Sequence, residues 1–242
     1  MRSAAVGACV WLSIVSPLAF GAGASAAGRV LAGDHISTSG GDLVVHTMKH
    51  ATFALGWNGR TVFVDPVAGA QMRYEELPLP DLVLLTDSDA DHLDVGQLQA
   101  LVQKNTRIVA PLIVGRLLPP ALRAKTVVLA RGESTSAFGI SVESTAATGA
   151  GNGYVLTFGR TRVYVSGDLE DPAELGALRG IDVAFVDFDE PPATTAEETA
   201  AAVRRLAPKF VYPYNYGNGD AVQFKALVGW SSDIEVRIRA WY

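Results

Sequence analysis

From Leu43 onward, short apolar runs alternate with polar, glycine-containing breaks, and the period within each run separates strands from helices. Leu43 to His46 and His50 to Trp57 read as strands, Asn58 and Gly59 as a tight turn, and Thr61 to Asp65 as the return strand. Leu82 to Leu85 is a fully apolar strand, and Asp94 to Gln103 has the spacing of an amphipathic helix. Arg107 to Ala110, Thr126 to Leu129 and Ile140 to Glu143 follow as strands, and Gly153 to Phe158 pairs with Thr161 to Val165 around Gly159 and Arg160. A helix over Pro172 to Leu178 precedes the buried strand Val183 to Val186. Thr195 with Glu198 makes a capping box for a helix reaching about Leu206. Lys209 to Tyr212, a helix over Ala221 to Val228, and Ile234 to Ile238 complete the pattern. Helices spread among strands of mixed direction predict a layered α/β sandwich.

The first residues have a different character. Arg2 is followed by an apolar stretch through Phe20 and by small residues ending Ala24, Ser25, Ala26, the layout of a cleavable signal peptide. That stretch is too short and too rich in Gly and Ala for a membrane anchor, so cleavage leaves the chain without one. Cys9 is the only cysteine, and a mature chain without it has neither disulfides nor thiolate metal sites. The expected organisation is a signal peptide over residues 1–26, a flexible leader over 27–41, and one domain over 42–242, exported to the periplasm or secreted. Val30 to Gly41, with its Gly, Ser, Thr and Asp, is what reads as leader. Removing Arg2 takes the formal charge of −5 to −6, which disfavours nucleic acid or an anionic membrane surface as partner. A small-molecule ligand or substrate is the partner class that remains; oligomeric state is not written in the sequence.

Candidate chemistry concentrates after the strand Leu82 to Leu85, where Thr86 to His92 reads Thr, Asp, Ser, Asp, Ala, Asp, His. Carboxylates and an imidazole at the end of a buried strand sit where α/β sites usually form. The side chains at 87, 89 and 91 can converge on a cation, or the segment is an acidic turn with Asp91 or Asp94 capping the next helix. A helix-loop-helix calcium loop fits worse, because His92 stands where that loop needs Gly and Leu98 where it needs Glu.

Thr86, Asp91 and His92 match the signature Thr, His, any, His, any, Asp, His of the metallo-β-lactamase-fold metallohydrolases, with Asp87 and Asp89 at the two leading His positions. His50, Ala51, Thr52, Phe53 followed by Val64, Asp65, Pro66, Val67 resembles the branch related to ascorbate-phosphate lactonases. Val165, Ser166, Gly167, Asp168 resembles the segment that delivers the family's bridging aspartate, and Pro213, Tyr214, Asn215, Tyr216 its last ligand segment, with Asn215 at the His position. The resemblance implies a four-layer αββα sandwich of two mixed β-sheets flanked by helices. It also implies a metal set of Asp87, Asp89, Asp91, His92, Asp168 and Asn215, with Asp91 as the catalytic carboxylate and His50, Asp65, Thr148 and Tyr214 as supporting or pocket residues.

The chain holds four histidines, His35, His46, His50 and His92, and only His92 falls at a ligand position of that family. Zinc prefers imidazole and thiolate donors, so an ordinary dinuclear zinc centre is not expected. Oxygen donors suit Mn or Mg better, and the remaining alternative is no metal at all. The expected function is therefore a hydrolase-like protein with its site altered from His to Asp and its activity lost or reduced. The alternatives are an active ester, lactone or phosphoester hydrolase using an oxygen-rich site, and a non-catalytic ligand-binding module. Serine catalysis lacks support, since Ser166 has no nucleophile-elbow pattern around it. Tyr212, Tyr214 and Tyr216 alternate on one face, as core or as a pocket wall. Amino-terminal sequencing of the abundant soluble protein is expected to begin near Ala27; a chain beginning at Met1 would refute export by this signal.

Overall fold

Each half of the chain repeats one plan, an antiparallel meander followed by parallel crossovers. The computed structural model describes residues 29–242 except 71, 147–148, 170, 190–193, 230–232 and 242. The expected signal peptide and Thr148 lie outside the described residues. In the first sheet β1 (Asp34–Thr38), β2 (Gly41–Lys49), β3 (Thr52–Trp57) and β4 (Arg60–Val64) run antiparallel, and β5 (Leu82–Leu84), β6 (Arg107–Ala110) and β7 (Thr126–Val128) continue in parallel. The second sheet does the same with β8 (Ser134–Ala137), β9 (Ile140–Ala146), β10 (Asn152–Phe158) and β11 (Thr161–Val165), followed by β12 (Val183–Val186), β13 (Phe210–Pro213) and β14 (Glu235–Val236). The sheets have seven strands each, in chain order.

Alternation along each strand sends one face inward. The shared core between the sheets includes Val45, Phe53, Val62, Leu84, Val142, Leu156, Val165, Phe185, Tyr212 and Trp241. The opposite faces are covered by helices: α1 (Val95–Leu101) and α2 (Leu112–Leu117) pack on the first sheet, α4 (Ala196–Leu206) and α5 (Ala221–Val228) on the second, and short α3 (Pro120–Arg123) follows α2. The result is the expected four-layer α/β sandwich. Among the described residues no helix is long and apolar enough to cross a membrane.

Several elements differ from the sequence expectation. The segment expected as a flexible leader carries β1, whose Asp34 accepts hydrogen bonds from Tyr212 Oη at 2.9 Å and Arg239 Nε at 2.8 Å, tying the two sheets together. β8, α2 and α3 were not foreseen, because β8 is a polar edge strand and α2 leaves Leu112 and Leu117 exposed. Pro172–Ala177 is a 3₁₀ helix, and the last strand shrinks to two residues. The capping box at Thr195 forms with both of its hydrogen bonds, and Asn58 and Gly59 take the positive φ of a hairpin turn.

At the centre Phe53 stacks on Phe185 with ring centroids 4.1 Å apart, Phe185 stacks on Tyr212 at 4.9 Å, and Tyr214 and Trp241 meet Phe53 edge-on. Phe53→Ala is expected to lower the unfolding free energy by about 3–5 kcal/mol, the range for deleting a buried aromatic side chain. Urea titration measures it, and a loss under ~1 kcal/mol would show that this stack does not hold the sheets together.

Candidate functional site

Every parallel strand in the middle of a sheet ends at the same rim, and the candidate residues lie just beyond those ends: Asp65 after β4, Thr86 to His92 after β5, Asp168 after β11 and Asn215 after β13. Asp65 is fully buried. Its carboxylate accepts Thr86 N–H at 2.8 Å, the Thr86 hydroxyl at 2.5 Å and His92 Nδ1–H at 2.9 Å, while its own carbonyl accepts the Thr52 hydroxyl. Because Nδ1 donates to Asp65, the ring orientation is fixed and Nε2 points across the cleft. There it meets Asp168 Oδ1 at 3.0 Å, Asp91 Oδ2 at 3.3 Å and Asn215 Nδ2 at 3.3 Å, and Asn215 also reaches Asp168 at 3.4 Å.

Four of the six predicted ligands therefore converge: Asp91, His92, Asp168 and Asn215. Asp87 and Asp89 do not join them. Asp87 turns back on its own loop, accepting from Ser88 N–H and the Ser88 hydroxyl, and Asp89 is exposed, its carbonyl accepting the N–H of His92 and Leu93. The acidic turn is thus partly a capping structure, and Asp94 caps α1 by accepting from Gln97 N–H.

The supporting residues divide in the same way. His50 sits at the β2–β3 turn with φ 51, close enough to Asp91 for an electrostatic interaction, and burial together with Lys49 lowers its pKa. Tyr214 is wholly in the core, and its hydroxyl accepts Gly167 N–H at 3.1 Å, so it shapes the turn that carries Asp168 without lining a pocket wall. His50, Asp65 and Asn215 all hold positive φ, at 51, 42 and 46. Backbone of this kind is sparsely populated for non-glycine residues and clusters at sites that the surrounding structure fixes.

Sequence reasoning missed Asp187, which follows β12. Its carboxylate accepts the Ser166 hydroxyl at 2.9 Å and Leu169 N–H at 3.0 Å, clamping the Ser166–Leu169 turn from the far side. The available signal was the recurrence of a buried strand followed by Asp, as at Val64–Asp65. Ser166 is a strut of this turn.

Electrostatically the cleft is a cation surrounded by carboxylates. Burial alone would push the His92 pKa down, but the hydrogen bonds with Asp168, Asp65 and Asp91 outweigh it and raise it far above the usual imidazole range. The same bond to His92 holds Asp91 below the ordinary carboxylate value. This donor set does not fit an imidazole-rich dinuclear centre. Both nitrogens of His92 face carboxylates, His50 lies within electrostatic reach of Asp91, His35 pairs with Asp42 and His46 with the carbonyl of Ala32. Among the described residues no group of three or more His, Cys, Asp or Glu side chains is arranged to hold a metal ion. Asp91 and Asp168 approach the imidazole within contact distance, both at its Nε2, where Asn215 Nδ2 also lies at 3.3 Å.

Asp187 contributes to the pH dependence of stability. Burial pushes its carboxyl up to about 7, with Asp168 adding to the rise against the hydrogen bond from Leu169. A carboxyl that binds its proton more tightly when folded contributes stability below the unfolded value of 3.8, and that contribution is lost as pH rises through about 7. Urea midpoints are expected to fall between about pH 4 and 7 in the parent and to flatten in Asp187→Asn. An unchanged slope in the variant would assign the dependence to another group.

With this geometry in place, known proteins supply the family. The β-lactamase superfamily domain model matches residues 45–215. A candidate metal-dependent hydrolase from Parabacteroides distasonis is 32% identical, with 88% of this chain and 100% of that one covered at a TM-score of 0.79. Igni18, a metallo hydrolase from Ignicoccus hospitalis, is 20% identical over 81% of this chain and 94% of its own, with a TM-score of 0.69. CmlA, a diiron β-hydroxylase from Streptomyces venezuelae, shares the fold at 17% identity and a TM-score of 0.66, over 84% of this chain and 54% of that one. No curated protein sequence matches the chain. Divalent metals are thus usual among proteins of this fold, and the chain belongs to the β-lactamase superfamily, as a metallo-β-lactamase-fold, hydrolase-like protein.

Proposed function

We propose that this chain is an exported member of the family in which aspartates have replaced metal-binding histidines, hydrolysis is lost or strongly reduced, and the cleft persists as a small-molecule binding site. The observation that carries this reading is the double engagement of His92, with Asp65 on Nδ1 and Asp168 and Asp91 on Nε2. A zinc ion at this point would have to displace a proton shared among buried or half-buried carboxylates, and it would gain one imidazole where catalytic zinc sites commonly hold two or three nitrogen or sulfur donors. The Asp87 carboxylate is meanwhile engaged in its own turn.

One observation favours a second reading. Asp91, Asp168 and Asn215 all lie within 3.4 Å of His92 or of one another, and their oxygen atoms suit a single hard cation such as Mn or Mg after rotation away from the ring.

Metal analysis of the purified protein by mass spectrometry, together with assays on a lactone, an ester and a phosphoester, separates the two. Substoichiometric metal and no metal-dependent turnover are expected; stoichiometric Mn or Mg with turnover that depends on it would establish the second reading. Zinc titration of Asp87→His/Asp89→His/Asn215→His against a competing chelator tests the ligand exchange. Its affinity is expected to exceed the parent's by more than the ~10–100-fold that a residue merely supporting a ligand contributes. Equal affinities in two folded proteins would overturn the exchange.

A further inference from the structure

A second constellation of metal-competent side chains lies away from this cleft, on the outer face of the first sheet. A cavity of about 240 Å³ between β2 and the segment around Tyr74 is lined by His46, Met48 and Met72, with Arg73 and Glu76 also on its wall. Val44 and His46 alternate with the core residues Leu43 and Val45, so strand geometry sends them outward, and Thr47 and Met48 line the same cavity as His46. The register between β2 and β3 shifts between Thr47 and Lys49, which leaves Met48 as the extra residue of a β-bulge, a device that re-aims a side chain. Met72 comes from the other wall, and both methionines pack at the edge of the apolar cluster containing Phe63, Tyr74 and Leu77. Beyond Met1, these are all the methionines of the chain.

The imidazole is set up as a donor of electrons. His46 Nδ1 lies 2.6 Å from the carbonyl oxygen of Ala32, which can only accept, so Nδ1 carries a hydrogen and Nε2 is the nitrogen left for a cation. A ring nitrogen fixed by a backbone carbonyl in this way is the arrangement that orients metal-binding histidines. Two thioethers and one imidazole nitrogen form a soft donor set without carboxylates. Hard divalent ions need oxygen and negative charge, which this set lacks, whereas thioether sulfur selects soft monovalent ions. Arg73 and Glu76 bring opposite charges to the wall, so the cavity adds no strong field against a monovalent cation.

We propose that His46, Met48 and Met72 bind a soft monovalent cation, Cu(I) or its analogue Ag(I). This site is independent of the carboxylate cleft, and its test does not depend on hydrolysis or on the His92 environment. Ordinary packing is the competing account, since methionine fills irregular apolar gaps without any ligand role.

The test uses the full chain carrying Cys9→Ser, because a thiol would compete for the same ions. Titration with Cu(I) against bicinchoninate is expected to give one ion per chain. His46→Gln and the double variant Met48→Leu/Met72→Leu are each expected to weaken binding by more than the ~10–100-fold of a residue that only supports a ligand. Leucine conserves volume and apolar character, so the double variant keeps the fold and decides the matter even if His46→Gln does not fold. In methyl-resolved NMR, Ag(I) is expected to shift the ε-methyl signals of Met48 and Met72 and to leave that of Met1 in place. Unshifted Met48 and Met72 signals, or equal Cu(I) affinity in the parent and the folded double variant, would overturn the site and leave the methionines as packing alone.

Discussion

The contact on which the cleft depends is the buried pair between Asp65 and His92. A carboxylate at the end of β4, with no exposure to water, is tolerable only if its oxygens are fully hydrogen-bonded and its charge is matched, because a lone buried charge costs several kcal/mol. Thr86 supplies two of the donors and His92 the third. Those residues open and close the acidic loop, so satisfying Asp65 fixes both ends of the loop and the direction of the His92 ring. The ring direction in turn decides which groups can share Nε2, and the turn after β11 delivers Asp168 to it.

The repeated plan of the two sheets explains why such distant segments meet. Parallel strands present their carboxyl ends to one rim, and each half contributes a strand followed by an aspartate: Asp65 after β4, Asp187 after β12. The two perform matched tasks. Asp65 holds the loop that carries Asp91 and His92, and Asp187 holds the turn that carries Asp168. Only Asp65 touches the imidazole, and burial raises the pKa of both carboxyls. Asp187 has hydrogen bonds and no cation, and it meets its burial by keeping a proton up to about pH 7.

Much of this was legible in the sequence, and the exceptions have physical causes. Core strands such as Val183–Val186 and the capping box at Thr195 announce themselves through period and local chemistry, and Asp91, His92, Asp168 and Asn215 were singled out by the resemblance to the family's motifs. β1 escaped because an edge strand needs apolar residues on one face only, and Asp-His-Ile-Ser-Thr offers a single one. α2 escaped because Leu112, Ile113 and Leu117 face solvent, which blurs the amphipathic signal. Asp187 belongs to no motif, and its role exists only through the turn it clamps on another strand. The partnership of Asp65 with His92 spans 27 positions and follows from the sheet register, which no local pattern encodes.

The fate of Asp87 and Asp89 shows why side-chain length matters as much as donor type. In the pattern the chain resembles, imidazoles stand at these positions. Aspartate is short and competes well for nearby N–H groups, which is why it favours turns and caps. Asp87 does this: its carboxylate closes on Ser88 N–H and the Ser88 hydroxyl. Exchanging His for Asp at such a position thus removes a nitrogen donor and gives the replacement a partner in its own loop. At the convergence point one buried imidazole contacts Asp65, Asp91 and Asp168.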